Sequence, residues 1–127
     1  MTRVLICGDR DYKHEQKIFD YIQALNPLED IIIHGNARGA DASASTAAKL
    51  FGFAIIGFPA QWNKYGKSAG PIRNQQMLDE GKPDLIVYFH DNIKKSKGTK
   101  DMVGRAEKAG LPVLANPTGE GEQHGKT

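Results

Sequence analysis

The chain has 127 residues, 39% of them hydrophobic, with 17 Lys or Arg against 15 Asp or Glu. That is about one domain with enough apolar content for a core, and too near neutral for the strongly basic field of most duplex-DNA binders. No apolar run approaches the ~18 residues of a membrane span, and a single cysteine excludes both an internal disulfide and a cysteine-rich metal site. A reduced cytoplasm is the expected setting, with no membrane partner.

In chain order, RVLICG at residues 3–8 is a β-branched apolar run closed by glycine, and reads as a buried strand. A helix follows, with Ile18, Phe19, Ile22 and Leu25 on one face, ended before Pro27. Residues 31–33 (III) form a second strand closed by His34 and Gly35. An alanine-rich helix runs over about 40–51, and Gly52 is its stop. Residues 53–58 are a third strand, and the ten residues AQWNKYGKSA are expected to be loop. A helix over about 71–80 starts on Pro71, which suits a first turn, and ends at Gly81. Residues 84–89 are the fourth strand and HDNIKKSKG a polar connection. A helix over about 99–109 and a short strand at 112–115 complete the series.

Strands alternate with helices, and the central strands are continuously apolar. That predicts an α/β, Rossmann-like, doubly wound parallel sheet of about five strands in a three-layer α/β/α single domain. The domain is expected over residues 1–116. The stretch 117–127, PTGEGEQHGKT, has no apolar periodicity and is expected to be a flexible tail.

In such a sheet, ligands bind beyond the carboxyl ends of the strands. The loops there hold Gly8, Asp9 and Arg10 after strand one, and Gly35, Asn36, Gly39 and Asp41 after strand two. Trp62, Lys67, Gly70, Arg73 and Asn74 follow strand three, with Gly98 and Thr99 after strand four. Nine of the 17 basic residues gather on this edge: Arg10, Arg38, Lys64, Lys67, Arg73, Lys94, Lys95, Lys97 and Lys100. Glycines admit a ligand close to the backbone, and first-turn N–H groups bind anions, so a phosphate is the natural occupant. Gly35-x-x-x-Gly39 and Gly98-Thr99 are two such turns, Arg73 offers a forked contact, and Trp62 and Tyr65 offer faces for a planar base. Plainer readings stand beside these: glycine turns as turns, Thr99 as an N-cap, Trp62 as core cover, His34 as a structural residue and Cys7 as a buried small hydrophobe. His14, His90 and His124 have no metal-ligand spacing, so neither a metal nor a cofactor is expected.

The segments CGDRDY, IIHGNARGAD, FPAQWNKYGKSAGPIRNQQML and KPDLIVYFHDN followed by KGTKDMVGRAEKAGLPV, in this order, resemble the SLOG superfamily. That superfamily is named for the DNA-processing protein A and Lonely Guy families. Within it, the chain is similar to a small stand-alone branch of uncharacterised function, over residues 3–115. The resemblance implies a Rossmann-like domain that binds nucleotides or their derivatives, commonly as a homo-oligomer. Lonely Guy proteins are phosphoribohydrolases, and other members sense signals derived from NAD or ADP-ribose. Arg73 matches the Lonely Guy arginine and Gly98-Thr99 its Gly-Thr pair, but Met102 stands where a glutamate is expected. The nearest carboxylate, Asp101, is about 100° away around a helix.

Three readings follow. The first is a sensor or sequestering protein for a phosphorylated adenine or ADP-ribose type ligand, for example a sponge for an antiviral signal. In it Asp9 or Asp41 accepts ribose hydroxyls. The second is an N-glycosidic hydrolase with Arg73 and Asp101 as its catalytic pair. The third is a single-stranded nucleic acid binder using Trp62 and Tyr65, against which the near-zero net charge argues.

Overall fold

The computed structural model describes residues 2–118. The elements are β1 (Thr2–Gly8), α1 (Glu15–Gln23), β2 (Asp30–His34), α2 (Ala40–Leu50), β3 (Ala54–Gly57), α3 (Trp62–Tyr65), α4 (Ala69–Asp79), β4 (Leu85–Phe89), α5 (Gly98–Lys108) and β5 (Val113–Ala115). One sheet carries all five strands in the order β3-β2-β1-β4-β5, and every pairing is parallel. The predicted fold class is the observed one.

The apolar runs are continuous because both faces of the sheet are covered. On β1, Val4 and Ile6 point into a core shared with α1 and α2, where Ile18, Tyr21, Ile22, Ala40, Ala44, Ala47 and Ala48 meet them. Leu5 and Cys7, one step out of phase, face Met77 of α4 and Met102 and Ala106 of α5. The period of two along a strand sends neighbours to opposite faces, so a doubly covered strand has no polar side. Alanines at 40, 44, 47 and 48 share one helical stripe, and their small size lets α2 lie close to β1, β2 and β3. Gly52 ends α2 as expected, at φ 81, with Phe53 N–H donating back to the Ala48 carbonyl at 2.8 Å.

Two expectations change. Residues 60–69 are not plain loop: Trp62–Tyr65 is one α-helical turn and Gly66–Ser68 a 3₁₀ turn. Four residues cannot show helical periodicity in a sequence, which is why this turn was invisible. Helix α4 begins at Ala69, so Pro71 is its third residue, still within the turn whose N–H groups need no partner inside the helix. The expected tail lies outside the described residues except for Pro117 and Thr118, and Pro117 is buried. No helix among the described residues is long and apolar enough to cross a membrane.

Candidate functional site

β1 sits between β2 and β4, and the connections from β1 and β4 leave for opposite faces of the sheet. The crevice opens where that switch occurs. Gly8 makes it possible. Asp9 N–H donates to the Phe89 carbonyl at 3.0 Å, and a Cβ at Gly8 would lie 2.2 Å from that oxygen. Only glycine lets the ends of β1 and β4 approach so closely. Beyond them lies a cleft of about 520 Å³, floored by Cys7, Met77 and Met102. That volume falls in the range of small-ligand sites, ~300–1,000 Å³.

The β2–α2 turn forms one wall, and here the expected anion site is already filled. The N–H groups of Gly35 and Ala37 donate to Oδ2 of Asp41, at 2.9 and 3.3 Å. Asp41 is 5% exposed. Burial pushes its carboxyl up to about 6, while the Ala37 amide, Arg73, the Gly35 amide and Arg10 hold it back. Gly39 shapes the turn: it has φ 72, and a Cβ there would stand 2.3 Å from the carbonyl oxygens of Asp9 and Arg10. Neither Gly35, Asn36 nor Gly39 reaches the cleft wall. Asn36 is turned toward Gly57, and Gly35 is packed under Arg73.

Arg73 also differs from expectation. Its Nη1 donates to the Gly35 carbonyl and to the Phe58 carbonyl, and Nε donates to Asn74 Oδ1 at 3.0 Å. Burial lowers its pKa and the Asp41 carboxylate opposes that, so it remains a cation. Two of the three guanidinium nitrogens are therefore engaged within the fold, Nη1 tying the ends of β2 and β3 to α4. Buried Asn74 continues the chain of bonds, its Nδ2 donating to the Gly98 carbonyl at 3.3 Å and to Asp101 Oδ2 at 3.0 Å. The same Asp101 oxygen accepts from Arg105 Nε at 2.8 Å. Asp101 lines the cleft, but its Oδ2 is committed to holding α5 against α4. The glutamate position of the Lonely Guy pattern is Met102, 1% exposed and packed in the core. Burial, with the Asp41 charge adding to it, pushes the Cys7 thiol up, away from the thiolate form a nucleophile needs.

The opposite wall is open. The β4–α5 connection brings His90, Lys95, Ser96, Lys97, Gly98 and Thr99 to the cleft. Thr99 is not the N-cap of α5. Its own N–H donates to Ser96 Oγ at 2.9 Å, and its hydroxyl has no partner among the described residues although the residue is 4% exposed. Lys95 and Lys97 are exposed and make no salt bridge among the described residues. His90 Nδ1 accepts from the Asn92 N–H at 2.9 Å, which leaves Nε2 as the protonated nitrogen of the neutral ring. Trp62 does not cover core; it stands at the rim.

Of the residues singled out in the sequence, the cleft gathers Gly8, Asp9, Arg10, Asp41, Trp62, Lys67, Gly70, Arg73, Asn74, Gly98, Thr99 and Asp101. Sequence reasoning did not single out Cys7, Met77 and Met102 as a floor, nor Ser96 and His90 as lining. Their signal was only that Cys7 closes the apolar run of β1, while Met77 lies in the last turn of α4 and Met102 in the second turn of α5. Among the described residues no group of three or more His, Cys, Asp or Glu is placed to hold a metal ion.

The comparisons bear on the family and the fold. Residues 2–65, half of the chain, match the profile of the YspA, cpYpsA-related SLOG family. The Gene 61 protein of Mycobacterium phage D29 is 35% identical over 124 residues, covering 90% of this chain and 95% of that protein. The X-ray structure of DNA processing protein A (DprA) from Streptococcus pneumoniae superposes with a TM-score of 0.75 at 22% identity. That likeness is one of fold. It covers 91% of this chain and 50% of the solved one, so the chain spans about half the length of that protein.

Proposed function

The chain belongs to the YspA, cpYpsA-related SLOG family, and from that premise we propose that it captures a phosphorylated nucleotide or a nucleotide-derived signal at the C-terminal edge of its sheet. The ligand is of the adenine or ADP-ribose type, and the protein acts as a sensor or a sequestering protein. One observation carries this reading: the hydroxyl of Thr99, which bonds nothing else among the described residues, lines the same cleft as Lys95 and Lys97, which make no salt bridge among those residues, and the exposed ring of Trp62. A hydroxyl that the fold does not use is free to bond a ligand oxygen. The first turn of α5 adds N–H groups and a positive dipole end beside it. Phosphate belongs at this end and the base at Trp62, with Asp9 on the wall near the ribose.

Binding is favoured over hydrolysis by two placements. Glycosidic cleavage needs a free carboxylate at the reacting bond. Here the expected position is the buried Met102, and Oδ2 of Asp101 is held by Asn74 and Arg105. Self-association is part of the reading, supported by the exposed apolar side chains Tyr65 and Ile72 beside the cleft.

Mass spectrometry of small molecules released by denaturing the purified protein tests this directly. An intact nucleotide that survives re-incubation with fresh protein is the expected result. Accumulation of free base and ribose phosphate would replace the binder with a hydrolase. Sedimentation of the same sample, with and without ligand, reports the oligomeric state.

A further inference from the structure

Trp62 is the chain's sole tryptophan, and it stands 48% exposed on α3. It belongs to residues 61–68, every one of which is exposed. An indole left in water forgoes the large apolar burial that makes tryptophan useful in a core. Its ring leans on the backbone of Gly70, where an added Cβ would lie 3.5 Å from it. From the facing wall, the β1–α1 loop, Arg10 places its guanidinium carbon 5.6 Å from the Trp62 ring centroid. Asp9 and Asp11 flank Arg10 in sequence, yet it forms no salt bridge with either; Asp11 pairs with Arg38 instead. Arg10 and Trp62 thus meet across the mouth of the cleft, one planar cation on one planar ring.

We propose that Arg10 and Trp62 are a clamp that takes the ligand's planar ring between guanidinium and indole, and that Arg10 is the residue selecting a flat heteroaromatic group. This rests on the nucleotide-binding reading above. A ring held between two planar groups needs about 3.5–4 Å on each side, roughly 7 Å in all. The present 5.6 Å therefore has to widen by about 1.5 Å, within reach of two exposed residues on separate segments. Guanidinium stacks on aromatic faces as readily as indole does, so the inserted ring replaces one cation–π contact with two stacking contacts. Stacking reads flatness and not the hydrogen-bonding edge, so adenine and guanine enter alike while a sugar phosphate gains nothing.

The test compares AMP with ribose 5-phosphate by titration calorimetry, while following Trp62 emission. AMP changes the emission of the sole tryptophan, and ribose 5-phosphate binds more weakly without changing it. Arg10→Ala lowers the preference for AMP over ribose 5-phosphate by about five- to tenfold; dividing by the second ligand removes the phosphate contact common to both. Trp62→Phe, which keeps a ring, retains most of the preference, and Trp62→Ala loses it. Both positions are exposed, so all three variants fold. An Arg10→Ala preference equal to that of the wild type, or AMP binding with unaltered Trp62 emission, overturns the clamp and leaves nucleotide binding standing. If neither ligand binds, the nucleotide reading itself falls, and the clamp with it.

Discussion

The two turns that feed the cleft look alike in sequence and behave as opposites in the fold. Both follow a buried strand, both contain glycine, and both open a helix. In the β2–α2 turn the chain supplies its own anion, for Asp41 accepts the Gly35 and Ala37 amides from inside the helix they precede. In the β4–α5 turn the first-turn carboxylate, Asp101, is bonded sideways to Asn74 and Arg105 instead of capping the helix, and the charges on the connection itself are lysines. A glycine turn at a helix N-terminus is thus an anion site only where no side chain of the same protein arrives first. The first turn holds the wall in place; the second is the one to which the proposed function assigns the ligand.

The self-satisfied turn is the place for the largest expected effect. Gly39→Val asks a β-branched residue to adopt φ 72 with its Cβ 2.3 Å from two carbonyl oxygens. Backbone has to move, and the expected loss is on the order of 3–5 kcal/mol in urea unfolding. The matching change at the head of α5, Gly98→Ala, meets nothing within 4 Å of the new Cβ. Its stability stays within about 0.5 kcal/mol of the wild type. Equal losses at the two glycines would erase the contrast between the turns.

The next effect is a pH dependence confined to the first turn. Asp41 is raised by burial from 3.8 to about 6. Between those values the folded protein keeps a proton that the unfolded chain has released. The stability this group contributes is therefore full below about pH 4 and is lost as pH rises to about 6. Asp41→Asn keeps an oxygen for the Gly35 amide and removes the titration. Urea midpoints of both proteins at pH 4.5 and 7 should diverge by on the order of 2 kcal/mol, with the wild type relatively weaker at pH 7. A constant difference across that range would mean that Asp41 is not the buried titrating wall inferred here.

Much of this was legible beforehand and part was not, for reasons that differ by residue. The apolar runs at β1, β2 and β4 and the alanine stripe of α2 carry the fold in local periodicity, so the α/β architecture could be read from them. The site edge followed from the parallel sheet. The roles of Arg73 and Asp41 could not follow, because their partners are carbonyls and amides, which every residue has. A guanidinium that tightens on Gly35 from 38 positions away leaves no mark in composition or spacing. Asp101 was nearest to the expected catalytic position, yet what occupies it is Arg105 on the next turn of the same helix. Sequence reasoning finds which residues reach an edge; contacts decide which of them are still free.

On the open turn the effects are on affinity and smaller. Thr99→Val preserves shape and removes a hydroxyl that bonds nothing else among the described residues. AMP binding should weaken about five- to tenfold by calorimetry with the urea midpoint nearly unchanged, the mark of a group that serves the ligand. Lys95→Ala and Lys97→Ala come last. Both ammonium groups are exposed, so each acts on a bound phosphate through screened charge, worth a factor of about two to three at low salt. That factor should shrink toward one as salt approaches 0.5 M, while the Thr99→Val loss persists. The two behaviours separate long-range attraction from a hydrogen bond. If the lysine variants lose as much at high salt as at low, their ammonium groups contact the phosphate directly, and the open wall is tighter around its ligand than the unliganded cleft.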